Sequence, residues 1–513
     1  MKSWKSMQPT YRTFWLTVPV VLAILFLVTL LSGLGGVTVI QANADTLFVD
    51  GASGSDPANN CQNPASPCAT IGQALSQSMN GDTILVAEET YTETLSIGIS
   101  VTLKGGYEAV GWTQDIAANP TIVDGSGAAD SVFNIAPDTV VTLEGFIVQG
   151  GNATDEGGGF FINGATVVIS GTVIQNNEAG SSGGGIWVEG EGGSFDVTIA
   201  NSSLVTNTAG GEGGGLGGCC AETGNLVTLN NVDIRGNTAQ GDGGGLDIRS
   251  KVIISSSRIV SNTAGASGGG IQGTDVSIYN SEISENEANG SGVIFGGGVR
   301  ALERLLLQNS LVGNNQAVGT DESIGGGIAA ENVEATIIDI VIKENEAEFN
   351  AGVSMFNTVF TMTNSLIVSN TGTGFGGDPI TGTLMNVTVA DNADDGVSLG
   401  GDVSITNSIL WGNGGDDYNC PAGCTLSYSN VGVGNLAGTG NISADPLFVG
   451  GGDYHLQNGS PAVDKGTNVG APNRDYEGDP RPIDGDLDGE AITDMGADEF
   501  RPELVFVPIL LKS

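Results

Sequence analysis

Three aspartates alternate in "DGDLDG": Asp484, Asp486 and Asp488, with Gly489 behind them. Alternate carboxylates that converge on a hard cation, followed by a glycine that allows a sharp turn, begin a calcium loop. The twelfth position holds Met495 instead of a bidentate Glu, which excludes an EF-hand. Asp494, Asp498 or Glu499 would have to complete the shell. The expectation is a structural calcium ion on Asp484, Asp486, Asp488 and Asp494, set against a plain solvated Asp-Gly turn. No other cofactor is expected.

Glycosidic hydrolysis needs two converging carboxyls, one to protonate the leaving oxygen and one to activate water. Asp394-Asp395 and Asp416-Asp417 are the adjacent acid pairs to consider, and both read as solvated turn residues. β-Elimination needs a base beside a carboxylate. Arg249 and Lys251 are two apart and could share an outward face, with Arg235, Arg258, Arg300, Arg304 and Lys343 as the other bases of this region. Trp187 is the aromatic best suited to stack on a sugar ring, against an incidental surface role. The single histidine, His455, lies beyond the region that carries these bases.

Two cysteine pairs bracket short polar loops, Cys61 with Cys68 and Cys420 with Cys424, and are expected to staple them. Cys219 and Cys220 are adjacent, where a direct bond constrains the backbone. Inert or vicinally bonded residues stand against a redox or metal role there. An oxidising compartment suits this usage. So does the N-terminus, where a basic stretch and a long apolar run end in Ala42-Asn43-Ala44, a small-x-small cleavage pattern. The run could also stay as an anchor.

"NTAGGEGGGLGG" (207–218) places Gly213, Gly215 and Gly218 in G-x-G-x-x-G spacing. A phosphate loop occurs once, between a strand and a helix. Here glycine triplets recur, each followed by an apolar residue: Phe160, Ile186, Leu216, Leu246, Ile271, Val299 and Ile328. The glycines therefore read as coil corners.

The elements behind these residues come from a repeat. Asn recurs at Asn177, Asn207, Asn237, Asn262, Asn286, Asn315, Asn345 and Asn370, then at Asn392 and Asn413. An aliphatic residue stands three positions before each, and usually a serine five before. Ser-x-Ile with period two reads as a half-buried strand. The Asn suits a turn, bonding nearby backbone and tolerating left-handed φ, and stacked copies would form a ladder. With a minimum repeat near 21 residues and no helical period between strands, the chain is expected to be all-β: a parallel β-solenoid of about ten or more coils. "ATIGQALSQSM" (69–79) has the spacing of a short amphipathic helix that caps the first coil, ahead of first strands in "GDTILVAEETYTETLSI".

The block from "LFVDGASGSD" to "TLKGGY", the "NTA…GGG(I/L)" coils and the C-terminal "NGSPAVDKG" and "DMGADEF" resemble the secreted right-handed parallel β-helix proteins of the pectate-lyase-like superfamily. The coils look like those of polymorphic outer-membrane proteins, and the ending is similar to a choice-of-anchor module. The resemblance implies a right-handed helix and leaves activity open, because the superfamily holds lyases, hydrolases and adhesins. The N-T-D, G-H-G and R-I-K motifs of its hydrolases are absent. The chain is expected to divide into a signal segment or uncleaved anchor (1–44), an N-terminal cap with first strands (45–119), β-helix repeats (120–430), a C-terminal module with the Asp-rich loop (431–500) and an apolar tail (501–513).

Fifty-eight acids against 16 bases give a net charge of −42. Such a surface repels nucleic acid and anionic polysaccharide. The expected role is a non-catalytic, extracytoplasmic, adhesin-like or structural protein, secreted or at the cell surface. Its expected partners are carbohydrate or other cell-surface components. A polysaccharide lyase or glycoside hydrolase of the same fold is one alternative, and a purely architectural envelope protein another. A monomer is expected, touching membrane only through its N-terminal segment or a sorting tail.

Overall fold

The computed structural model describes residues 44–502, apart from 192, 221–223 and 434–435. The expected signal segment, all but its last residue, and nearly all of the apolar tail lie outside the described residues. Among the described residues no helix is long and apolar enough to cross a membrane.

The sequence repeat is the pairing register. Strand Asp196–Val205 pairs in parallel with Leu226–Arg235, so that Leu204 meets Ile234. Ile234 then meets Ile259, and Ile259 meets Ile283. The aliphatic residue before each Asn thus stacks on its counterpart one coil later, and about 11 turns of parallel solenoid result. Within each strand the inward Val, Ile and Leu are buried and their neighbours partly exposed. One apolar column runs from Leu47 to Val431. No coil could bury that surface alone, so stability comes from stacking.

The ladder asparagines fill one inner corner. Asn207 Nδ2 donates to Asn237 Oδ1 at 3.0 Å and to the Ile174 carbonyl at 2.9 Å. The same links run from Asn177 through Asn207, Asn237, Asn262, Asn286, Asn315, Asn345 and Asn370 to Asn392 and Asn413. Left-handed φ falls on the residue before each Asn, as at Thr206 (53°), Ser261 (56°) and Glu285 (56°), and not on the Asn itself. Its amide is needed for the axial bonds, so its neighbour takes the strained conformation. The repeated serines are buried: Ser257 Oγ accepts the Val232 N–H at 3.0 Å, and Ser281 Oγ accepts that of Ser257 at 3.1 Å.

Gly213 takes φ +67°, and a Cβ on Gly214 would stand 2.4 Å from the Gly244 carbonyl oxygen. The triplet is a corner with no room between coils. Gly218, which completes the nucleotide-like spacing, lies in a strand against Val188.

The chain joins the solenoid earlier than the sequence pattern indicated. Thr46–Val49 pairs with Thr83–Ala87, a four-residue strand too short to show its alternation. The helix Ile71–Gln77 buries Ile71 and Ala74 against the column. The Glu93 carboxylate accepts the Ile71 and Gly72 N–H groups at its N-terminus, at 2.9 and 2.8 Å.

At the other end, residues from Phe448 to Phe500 lie along the side of the last coils. Arg481 and Glu499 form a fully buried pair at 2.9 Å. Arg481 also donates to Asn364 Oδ1, and Asn386 and Asn407 donate to carbonyls of the same module.

Candidate functional site

Parallel register also stacks the outward residues that follow each glycine corner. The row runs Phe161, Trp187, Gly217, Asp247, Gln272, Arg300, Ala329, Ser354, Gly376, Ser398, Asn419. Its middle members are small. Between Arg300 at one end and Asn419 at the other, the face sinks into a groove of about 740 Å³.

One wall of the groove is built by strand pairing on successive coils. Val293–Phe295 pairs with Glu322–Ile324, and Ile324 bridges to Phe349, which makes a row Phe295, Ile324, Phe349. Ile294 anchors the wall from behind, packed on Ala288, Ala317, Ala347 and Ala351. The floor strand Val353–Phe356 then carries Ser354 outward and ends on Phe356 at the other margin, paired in register with Glu331. Phe349 and Phe356 are 46% and 52% exposed, although both are large and apolar. Asn350 lies over Gly376, where a Cβ would collide with its amide, and donates to Ser354 Oγ at 3.1 Å. The Asp378 carboxyl lies over Gly400 in the same way. Arg300 closes one end, 5.0 Å from the Phe295 ring, and donates to Gln272 Oε1 at 3.0 Å.

The residues singled out in the sequence fare differently. Trp187 is 9% exposed, covers Gly217 of the next coil and donates its indole N–H to Glu189, so it presents no free face. Arg249 pairs with Glu212 beside the buried Asp247, and among the described residues Arg300 alone of the bases reaches the groove. Burial, with Glu212 nearby, pushes the Asp247 carboxyl up to about 7. Asp417 is not a solvated turn acid. It is buried and ends the ladder, accepting Asn413 Nδ2 at 2.7 Å and the Val433 N–H at 2.7 Å. Asp395 accepts from the Asp416 N–H and from Asn419, and Asp394 from Thr373.

The aspartate loop does not converge as expected. Asp484 and Asp486 group with Asp464, with donor oxygens within 4.8 Å of one another, while Asp488 and Asp494 stand outside the group. Asp464 accepts the Gly485, Asp486 and Ile492 N–H groups. Asp494 accepts those of Asp464 and Phe500. Burial, then the Glu499 charge, raises its carboxyl above the usual range. His455 sits between Asp453 and Glu477, and its hydrogen bond to Glu477 leads the rise of its imidazole to about 10. Cys61–Cys68, Cys420–Cys424 and the adjacent Cys219–Cys220 are disulfide-bonded.

The groove went unseen because the glycine triplet erodes after Ile328, which hides the register of the outward row. Coil spacings of 29 and 30 residues before Asn315 and Asn345 accompany the wall, but the spacing of 30 also precedes Asn207 and Asn237, so coil length alone does not mark it.

No family model and no curated protein sequence matches the chain. Among solved structures it is similar to pectate lyase Pel9A, at 14% identity, TM-score 0.31, over 90% of this chain and 98% of that one. It is also similar to XylC in complex with xylose, at 10% identity, TM-score 0.36, over 88% and 98%. A third is the catalytic unit of a GH87 α-1,3-glucanase from Streptomyces thermodiastaticus, at 16% identity, TM-score 0.32, over 73% and 67%. The coil-by-coil parallel register establishes the fold independently of these likenesses. In architecture the chain is an all-β parallel solenoid of about 11 turns with, among the described residues, one short helix near its N-terminal end.

Proposed function

We propose that the protein is an extracytoplasmic, non-catalytic binding protein that holds a segment of glycan in the groove between Phe349 and Phe356. The observation that carries this reading is two half-exposed phenyl rings on one coil, where the chain enters and leaves the groove floor. Aromatic faces cover the apolar faces of sugar rings, and Asn350, Ser354, Ser398 and Asn419 supply hydroxyl and amide partners along the floor. The volume falls within the range of about 300–1,000 Å³ usual for ligand sites. The three disulfides suit an oxidising compartment.

Binding to a glycan panel, followed by calorimetry on the best ligand, tests the reading. Saturable binding to the wild type that the Phe349→Ala/Phe356→Ala variant loses is expected, with no release of reducing or unsaturated sugar. Sugar release by the wild type would replace it with the enzymatic alternative.

A further inference from the structure

The charge of the groove narrows the ligand class, an inference that rests on the glycan-binding reading above. Among the described residues three carboxylates line it, Glu322, Glu331 and Asp378, against one cation, Arg300. That cation is engaged at its Nη1 end, where Gln272 accepts from it and Asp242 lies 4.0 Å away, with the Phe295 ring over one face. One of the carboxylates also stands directly beside an aromatic in register. Glu331 is the direct partner of Phe356, and Glu322 is two residues from Ile324, which bridges to Phe349. A phenyl ring next to a carboxylate, as Phe356 stands next to Glu331, is an arrangement that attracts a cation through both the ring quadrupole and the charge.

We propose that the groove selects a glycan bearing protonated amino groups over its neutral counterpart, and excludes uronate polymers. The ring faces hold the sugar, and Glu331 and Glu322 hold the ammonium groups. Complementary charge at an exposed site raises discrimination more than raw affinity and weakens with salt.

A matched pair tests this: glucosamine oligomers and their fully N-acetylated equivalents, with oligogalacturonate as the anionic arm. All are titrated calorimetrically at mildly acidic pH, at low and at raised salt. The amino oligomer is expected to bind roughly tenfold more tightly than the acetylated one at low salt. Raised salt should narrow that ratio, and oligogalacturonate should not bind. Glu322→Gln/Glu331→Gln should bring the ratio near one while leaving the acetylated ligand bound. Equal binding of the pair, or binding of oligogalacturonate, overturns the charge inference and leaves glycan binding standing. Amino-oligomer binding that survives Phe349→Ala/Phe356→Ala shows diffuse attraction to an acidic surface and overturns the placement in the groove. Failure of every sugar to bind removes the underlying reading as well.

Discussion

At the scale of single residues, the ladder asparagine does the work of both a side chain and a backbone turn. Asn262 Oδ1 accepts the N–H and Nδ2 of Asn237, and its own amide donates to Asn286 and to the Ile234 carbonyl. Truncation strands several buried polar groups, each at a cost of about 1–3 kcal/mol. Asn262→Ala is therefore expected to destabilise the protein by roughly 3 kcal/mol in urea denaturation. A loss below ~0.5 kcal/mol, the size of an ordinary surface substitution, would show the ladder to be ornamental. Recurrence made these positions legible in the sequence, because only Asn stands at all of them. The strained position before each Asn was illegible, since Thr206, Gly236, Ser261 and Glu285 share a conformation but no residue type. The DGDLDG acids were legible as turn formers. Their partner Asp464 lies twenty residues earlier, and spacing alone could not reveal it.

At the scale of elements, the glycine corner sets the distance between coils. A Cβ at Gly214 meets a backbone carbonyl at 2.4 Å, which no rotamer change relieves. Gly214→Ala should cost about 3 kcal/mol, at the upper end of overpacking penalties. Gly98→Ala, where nothing lies within 4 Å of the new atom, should be neutral. Thermal melts of the two variants compare them directly, and equal stability would contradict the corner's role. The strands and their period were readable because alternation and repeat spacing agree. The groove was not readable. Its wall arises in coils no longer than those before Asn207 and Asn237, and its floor arises from outward Ala329, Ser354, Gly376 and Ser398, which have no shared motif. Trp187 misled for the opposite reason: the small Gly217 on the next coil lets the indole fold down.

For the whole molecule, charge and burial act together. Burial, with Glu212 nearby, pushes Asp247 up to about 7, and burial does the same to Asp498, to about 6. Both would ionise near 3.9 in the unfolded chain. Between about pH 4 and 7 the folded state therefore binds more protons than the unfolded state, and stability falls as pH rises. His455, raised to about 10, adds a contribution present below its unfolded value of 6.5 and lost as pH rises through 10. The melting temperature is expected to be higher at pH 5 than at pH 8, by roughly 2–4 °C, and Asp247→Asn should flatten that slope. A melting temperature that rises from pH 5 to pH 8 would contradict this assignment. The same net charge of −42 gives the groove its surroundings, and the register of the solenoid decides which residues line it. The most direct test of the account is calorimetric titration of the best glycan into wild type and Phe349→Ala/Phe356→Ala, with melting checked in parallel. Binding that disappears in a variant of unchanged melting temperature is the predicted result, and undiminished binding in that variant would contradict it.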